Sequence, residues 1–189
     1  MEFAINPPQI CALIVATIGS ITDVRTTKIP NKLTFPAALL GIVVQSAYFA
    51  SKSQTSPLTG AVAGAINAIL GWITAVAIMM ITKLFLKHFG HGDTKLLAAI
   101  GSFIGPGPVA IAYMYFCFVF GVYAFIRLMI ALPWRQLTLA YMSHSTQGLD
   151  LEKINKIRKQ ALPVAPFIAI GTACAMLLEK PTMLFLGFK

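Results

Sequence analysis

The chain has 189 residues, of which 57% are hydrophobic and 11% are charged, and its mean hydropathy is +0.77. A soluble domain of this size needs a polar surface that this composition cannot supply, so the composition indicates a polytopic membrane protein. The net charge of +9 is not that of a nucleic-acid-binding protein, because the basic residues lie in short segments between apolar stretches. Basic residues in that position report membrane orientation, and we expect no nucleic-acid partner.

Six apolar stretches predict an all-α integral membrane fold with six transmembrane helices. In chain order they are residues 8–22, 35–50, 58–86, 94–105, 108–132 and 162–188. A membrane helix needs about 20 residues to cross about 30 Å, whereas the fourth stretch, at about 1.5 Å per residue, reaches only about 18 Å. We therefore expect an acid at its start to lie below the headgroups. No second domain is visible, so residues 1–189 are expected to form a single membrane-embedded domain.

Twelve of the fifteen basic residues lie in the first, third and fifth loops or near the ends of the stretches that flank them. The positive-inside rule therefore predicts an outside N-terminus and places these three loops in the cytoplasm. The fifth loop, residues 134–161, is the one sizeable polar segment. Its second half, residues 150–159, predicts an amphipathic helix capped by Asp150 that lies on the membrane and contacts anionic lipid.

Two glycine-containing segments predict local packing. The run from Gly60 to Gly64 has the small-residue spacing by which membrane helices pack closely. Residues 105–108, with the sequence GPGP, predict a tight uncharged turn between the fourth and fifth stretches.

Two of the six acids, Asp23 and Asp93, are predicted at the cytoplasmic ends of separate helices. A carboxylate at membrane depth is costly and usually functional. Two close carboxylates cannot both ionise easily, so they can share the proton that peptide hydrolysis requires. Taken singly, Asp93 could be a helix N-cap, and Asp23 could be a loop acid paired with Arg25 or Lys28.

The other side chains with catalytic chemistry give weaker patterns. We interpret His91, which lies between two glycines, as a loop residue. No two histidines have the spacing of metal ligands, which disfavours a metallopeptidase and predicts no cofactor. The serines lack a nearby base, which disfavours a serine peptidase.

Three ordered motifs resemble those of the type IV prepilin peptidases. Residues 23–31 (DVRTTKIPN) are similar to the first-aspartate motif of that family, and residues 90–96 (GHGDTKL) are similar to its GxGD motif. Residues 162–171 (LPVAPFIAIG) resemble its proline-rich start of the last helix. The order, the spacing and the six-span layout also match, so the resemblance covers nearly the whole chain.

The resemblance implies a membrane aspartic endopeptidase whose catalytic pair is Asp23 and Asp93. The motif residues that it implies for positioning substrate are Pro30, Asn31, Gly90, Gly92 and Lys95. Pro30 and Asn31 also suit a turn into the second span, and Lys95 could act on Asp93, on a substrate carbonyl, or only mark the membrane edge.

The implied substrates are prepilin or pseudopilin precursors with a short basic leader that is cut at the cytoplasmic face. The implied setting is the inner membrane of a prokaryote, with a pilus or secretion machinery and membrane lipid as partners.

The chain differs in one respect from the larger, bifunctional members of the family. Those members carry an additional cytoplasmic segment with CxxC motifs before the first aspartate. This chain has no CxxC, and its first apolar stretch leads directly to Asp23. It therefore resembles the short, peptidase-only form of tight-adherence (Flp-type) pilus systems, and N-methylation is not expected. The archaeal preflagellin peptidases are also similar. A small proton- or cation-coupled transporter and an inactive assembly factor stay open as alternatives of a different class.

Overall fold

A computed structural model of the chain describes residues 6–26, 28–54, 56–85, 90–131 and 164–185. This part of the chain is helical and contains no strand. Its helices are α1 (Pro7–Thr26), α2 (Asn31–Lys52), α3 (Pro57–Phe85), α4 (His91–Ile104), α5 (Pro106–Ala131) and α6 (Ala165–Phe185). The predicted all-α class is confirmed for these ranges, whereas the predicted loop 134–161 and its amphipathic helix lie outside them.

Four of the helices in the described ranges are long and apolar enough to cross a membrane, namely α1, α2, α3 and α5. The apolar part of α6, Ala165–Leu178, is shorter, and α4 has only 14 residues. The chain is therefore a multi-pass, all-α membrane protein. The total of six spans and the orientation stay predictions.

The short helix α4 is enclosed by other helices. Almost every residue from Asp93 to Ile104 is buried, and α4 contacts α1, α2, α3 and α6. In the sequence, residues 94–105 are one of six apolar stretches. In the fold, the longer helices α1, α2, α3 and α6 pack around this stretch. Its 14 residues correspond to about 21 Å of helix at about 1.5 Å per residue.

The chain separates into two compact units. The first consists of residues 1–119 together with 163–189, and it contains α1 to α4, the first part of α5, and α6. The second consists of residues 120–162, of which the structure describes only the last part of α5.

Glycines allow α3 to pack directly against its neighbours. A Cβ atom added at Gly60 would lie 2.6 Å from the carbonyl oxygen of Phe49, and one at Gly64 would lie 2.5 Å from that of Gln45. Real Cβ atoms do not approach backbone this closely, so the predicted role of Gly60 and Gly64 in helix packing is confirmed, with α2 as the partner.

The predicted tight turn between α4 and α5 is present but shorter than predicted, because residues 106–108 already belong to α5. Gly105 ends α4 with a φ of +83°, in the left-handed region that favours glycine. Its N–H donates to the Gly101 carbonyl at 2.8 Å. Helix α5 begins at Pro106, two residues before the predicted start, because proline suits the first position of a helix.

Candidate active site

Asp23 lies within α1 and not in the following loop. The helix continues to Thr26, so the prediction that the first helix ends at residue 22 was wrong by about one turn. The Asp23 side chain is only 7% exposed, and its Oδ2 atom accepts a hydrogen bond of 3.1 Å from the backbone N–H of Ala165. The alternative of a loop acid is therefore wrong, because Asp23 lies in α1 and is buried against the start of α6.

Asp93 lies in the first turn of α4 and is also 7% exposed. The N-cap of α4 is Gly90, so the alternative that Asp93 is the N-cap residue is wrong. The Asp93 carboxylate instead accepts a hydrogen bond from the Gly90 backbone N–H, as an acid at the third helical position does in a capping box. A Cβ atom at position 90 would lie 3.1 Å from Asp93 Oδ2, so glycine leaves room for this close contact.

A contact between α1 and α4 brings the two acids to the same level. A Cβ atom at Gly19 would lie 2.7 Å from Cδ1 of Leu96, a side chain that is fully buried. Gly19 precedes Asp23 by one helical turn and Leu96 follows Asp93 by one turn, so each acid shares a helix face with its contact residue. The two carboxylates are close enough for Asp23 to act electrostatically on Asp93.

Asp93 lies outside the helices that are long enough to span the membrane, because it is in the first turn of the short helix α4. Burial, and then the negative charge of Asp23, raise the pKa of Asp93 from 3.8 to about 6, against the opposing effects of the Gly90 N–H and the Lys83 charge. Both raising effects disfavour the ionised form of a carboxyl group. Asp93 therefore keeps its proton at a pH where an ordinary aspartate has lost it.

Lys83, near the end of α3, offers a test of this electrostatic balance. Its positive charge lowers the pKa of Asp93, so Lys83→Met is expected to raise that pKa and keep Asp93 protonated to higher pH. If protonated Asp93 is needed for activity, the alkaline limb of the pH profile of kcat/KM, a free-enzyme property, moves to higher pH. Lys52→Met is the matched control, because Lys52 lies in the last turn of α2, over the Tyr48 ring, whereas the start of α2 packs near Asp93. A shift to lower pH, or equal shifts in both variants, would contradict the assignment.

The two sequence motifs also meet through Lys95 and Asn31. The Lys95 Nζ atom donates to Asn31 Oδ1 at 2.8 Å and lies 5.7 Å from the centre of the Phe35 ring. Pro30 is the N-cap of α2, with an extended backbone. A Cβ atom at Gly92 would lie 3.3 Å from Cβ of Ile29. The start of α2 therefore packs against the start of α4.

Some residues near the two acids gave no signal in the sequence. Ala165 is 142 positions from Asp23, and no motif of the sequence links them. The hydroxyl groups of Thr34 and Thr94 are buried and have no hydrogen-bond partner within the described ranges. His91 is exposed, but it is the first residue of α4, so its interpretation as a loop residue is wrong.

Comparison with known proteins identifies similar chains. A sequence model described as the type IV leader peptidase family matches residues 10–125. The chain is 29% identical over 182 residues to the "Prepilin leader peptidase/N-methyltransferase" of Burkholderia pseudomallei strain 1026b, and equally to that of strain K96243. These alignments cover 94% of this chain and 48% of each relative, so the chain spans about half the length of the curated relatives it matches. No solved structure matches the chain significantly.

Proposed function

Because the chain belongs to the type IV leader peptidase family, we propose that it is a membrane aspartic endopeptidase that cuts the basic leader from prepilin or pseudopilin precursors. We place the cut at the cytoplasmic face, as predicted from the loop charges. The observation that carries the proposal is the pair of buried acids, Asp23 and Asp93, which the contact between α1 and α4 brings to one level.

The proposed chemistry uses one proton held between the two acids. Asp23, ionised, accepts a proton from a water molecule as the water oxygen bonds to the scissile carbonyl carbon. Asp93, protonated, donates its proton to the carbonyl oxygen, and a tetrahedral diol forms. The carbon–nitrogen bond then breaks as Asp23 returns its proton to the leaving amine and Asp93 recovers the proton of the diol oxygen. Both carboxyl groups end as they began, as in other carboxylate pairs of this kind.

We assign the remaining motif residues to substrate positioning. Gly90 and Gly92 carry no side chain where an extended substrate strand approaches Asp93. Lys95 and Asn31 hold each other by a hydrogen bond of 2.8 Å, and we place the substrate backbone beside this pair, with Pro30 fixing the start of α2.

Lys95→Met is expected to raise KM about fivefold with little change in kcat. The methionine side chain has no hydrogen-bond donor for Asn31, and one lost hydrogen bond corresponds to about 1 kcal/mol. Steady-state kinetics on a leader peptide measures both constants. Lys32→Met is the control, since Lys32 is exposed in the first turn of α2. Unchanged KM in Lys95→Met would leave Lys95 as a marker of the membrane edge.

The proposed setting follows the same family. We propose that the chain acts in the inner membrane of a prokaryote, in contact with lipid and beside a pilus or secretion machinery. We also propose that it resembles the short form that cleaves without methylating. A product whose new N-terminus gains the mass of a methyl group in the presence of a methyl donor would contradict that part.

The test of function uses the purified chain in detergent and in liposomes. A synthetic peptide with a basic leader and an apolar helix is expected to be cut once, between the two parts. The same liposomes report proton and cation flux, because a transporter is the competing interpretation of two buried acids. Flux without cleavage would favour the transporter. Neither activity, across several leaders, would favour an assembly factor.

A further inference from the structure

The start of α6 lies directly against Asp23. Ala165 is the first residue of α6, and the N–H groups of a first helical turn have no partner within their own helix. The Ala165 N–H donates instead to Asp23 Oδ2 at 3.1 Å. Both groups are buried, so this hydrogen bond crosses from α6 to α1 within the core of the first unit.

Ser20 binds the same residue from the same face of α1. Its hydroxyl donates to the carbonyl of Ala16 at 2.7 Å and also lies 3.1 Å from the carbonyl oxygen of Ala165. A single O–H group shared between two carbonyls in this way is a bifurcated hydrogen bond. Ser20 and Asp23 are three residues apart and are therefore neighbours on the helix surface. One side chain of α1 thus contacts the Ala165 carbonyl while the other accepts its N–H.

The two acids are consequently held differently. Asp23 accepts an N–H from a separate helix and lies at the N-terminus of that helix, so that its carboxylate is fixed between α1 and α6. Asp93 also accepts a backbone N–H, from Gly90, but burial and the charge of Asp23 outweigh that contact and favour its protonated form.

We propose that Ser20 and the Ala165 backbone N–H form a clamp that fixes the Asp23 carboxylate in place as the proton-accepting member of the pair, with Asp93 as the proton donor. Ser20 is a positioning residue in this scheme, because it acts on Asp23 through Ala165. The inference rests on the proposed peptidase function and adds to it the assignment of base and acid, together with the structural element that enforces it.

Removing the Ser20 hydroxyl is the first test. Ser20→Ala is expected to lower kcat for the leader peptide about fivefold, the equivalent of one hydrogen bond, and to leave KM unchanged. Ser20→Thr keeps a hydroxyl at the same place and is expected to restore kcat. Ser46→Ala is the matched control, because the Ser46 hydroxyl donates to the Ile42 carbonyl of its own helix at 2.7 Å. Its kinetics should equal those of the wild type.

Removing the Ala165 N–H is the second test. Proline lacks this donor and is tolerated at the first helical position, and Val164 before it is not helical, as a residue before proline requires. Ala165→Pro is expected to lower kcat at least about tenfold, since hydrogen bonds to charged groups are the stronger ones. Ala165→Gly keeps the donor and is the control. Adding Ser20→Ala to Ala165→Pro should cause no further loss.

The outcomes separate the clamp from a purely structural contact and from the function itself. Wild-type kcat in Ser20→Ala overturns the clamp, as does a change confined to KM or to thermal stability, and as does equal loss in Ser20→Thr. If Ala165→Pro does not fold, the Ser20 series decides alone. A wild-type chain that does not cut any leader overturns the proposed function, and the clamp with it. Cleavage by the wild type with unaffected clamp variants overturns only the clamp.

Discussion

Asp23→Asn and Asp93→Asn are each expected to lower kcat/KM for leader cleavage by at least about a hundredfold. Asparagine keeps the size of the side chain but can neither accept a proton from water nor donate one to the carbonyl, and positioned acid–base groups contribute about 10²–10⁴-fold. The double variant should be little worse than either single variant, because residues that act as one unit are not additive. Initial rates of peptide cleavage measure all three.

Two neighbouring substitutions serve as controls for this result. His91→Gln changes an exposed residue two positions before Asp93, and Thr22→Val removes a hydroxyl that donates to the Gly19 carbonyl of its own helix at 2.8 Å. Both are expected to cleave at the wild-type rate. If His91→Gln abolished cleavage while an aspartate variant retained it, the chemistry would have to be reassigned to the histidine.

Gly71→Val is expected to destabilise the fold more than any other single change considered. A Cβ atom at Gly71 would overlap the carbonyl oxygen of Gly101, and one at Gly101 would lie 2.5 Å from that of Gly71. These atoms are backbone on both sides, so no side chain can move aside. Overpacking a core costs about 1–3 kcal/mol and occasionally more. The expected result is a lower midpoint of thermal unfolding in detergent, or loss of the monodisperse protein.

Gly121→Val is the matched control for this crossing of α3 and α4. Apart from its own helix backbone, a Cβ atom at Gly121 of α5 meets no atom of the described residues within 4 Å, so the same substitution there should leave the unfolding midpoint unchanged. Equal effects at both positions would mean that valine acts through helix propensity or lipid contact rather than through the crossing.

The helices themselves could be predicted from the sequence, because their apolar stretches are long. The ends of the helices were less certain. Hydropathy falls at the first polar residue, whereas the backbone hydrogen bonds of the helix continue beyond it. Helix α1 therefore runs through Asp23 to Thr26, and α4 starts at His91, three residues before the apolar stretch. The predicted glycine packing at Gly60 and Gly64 is confirmed, but the glycine crossing of α3 and α4 is not visible in a single sequence.

The candidate site was predictable only as far as its motifs extend. Asp23 and Asp93 are recognisable because acids at the ends of apolar helices are unusual. The hydrogen bond from Lys95 to Asn31 joins two motifs that the sequence shows separately. The hydrogen bond of Ser20 to Ala165 and the effect of the Lys83 charge on Asp93 depend on how α6 and α3 are placed in the fold. No spacing along the chain encodes those positions, because each is set by packing between distant segments.

The central claim is that this chain cuts a leader peptide with Asp23 and Asp93. The most direct measurement is the intact mass of one leader-plus-helix peptide after incubation with purified wild-type chain and, in parallel, with the double Asp23→Asn/Asp93→Asn variant. The account predicts two fragments from one cut before the apolar segment with the wild type, and intact peptide with the double variant. The same fragments from the double variant, or intact peptide from both, would contradict it.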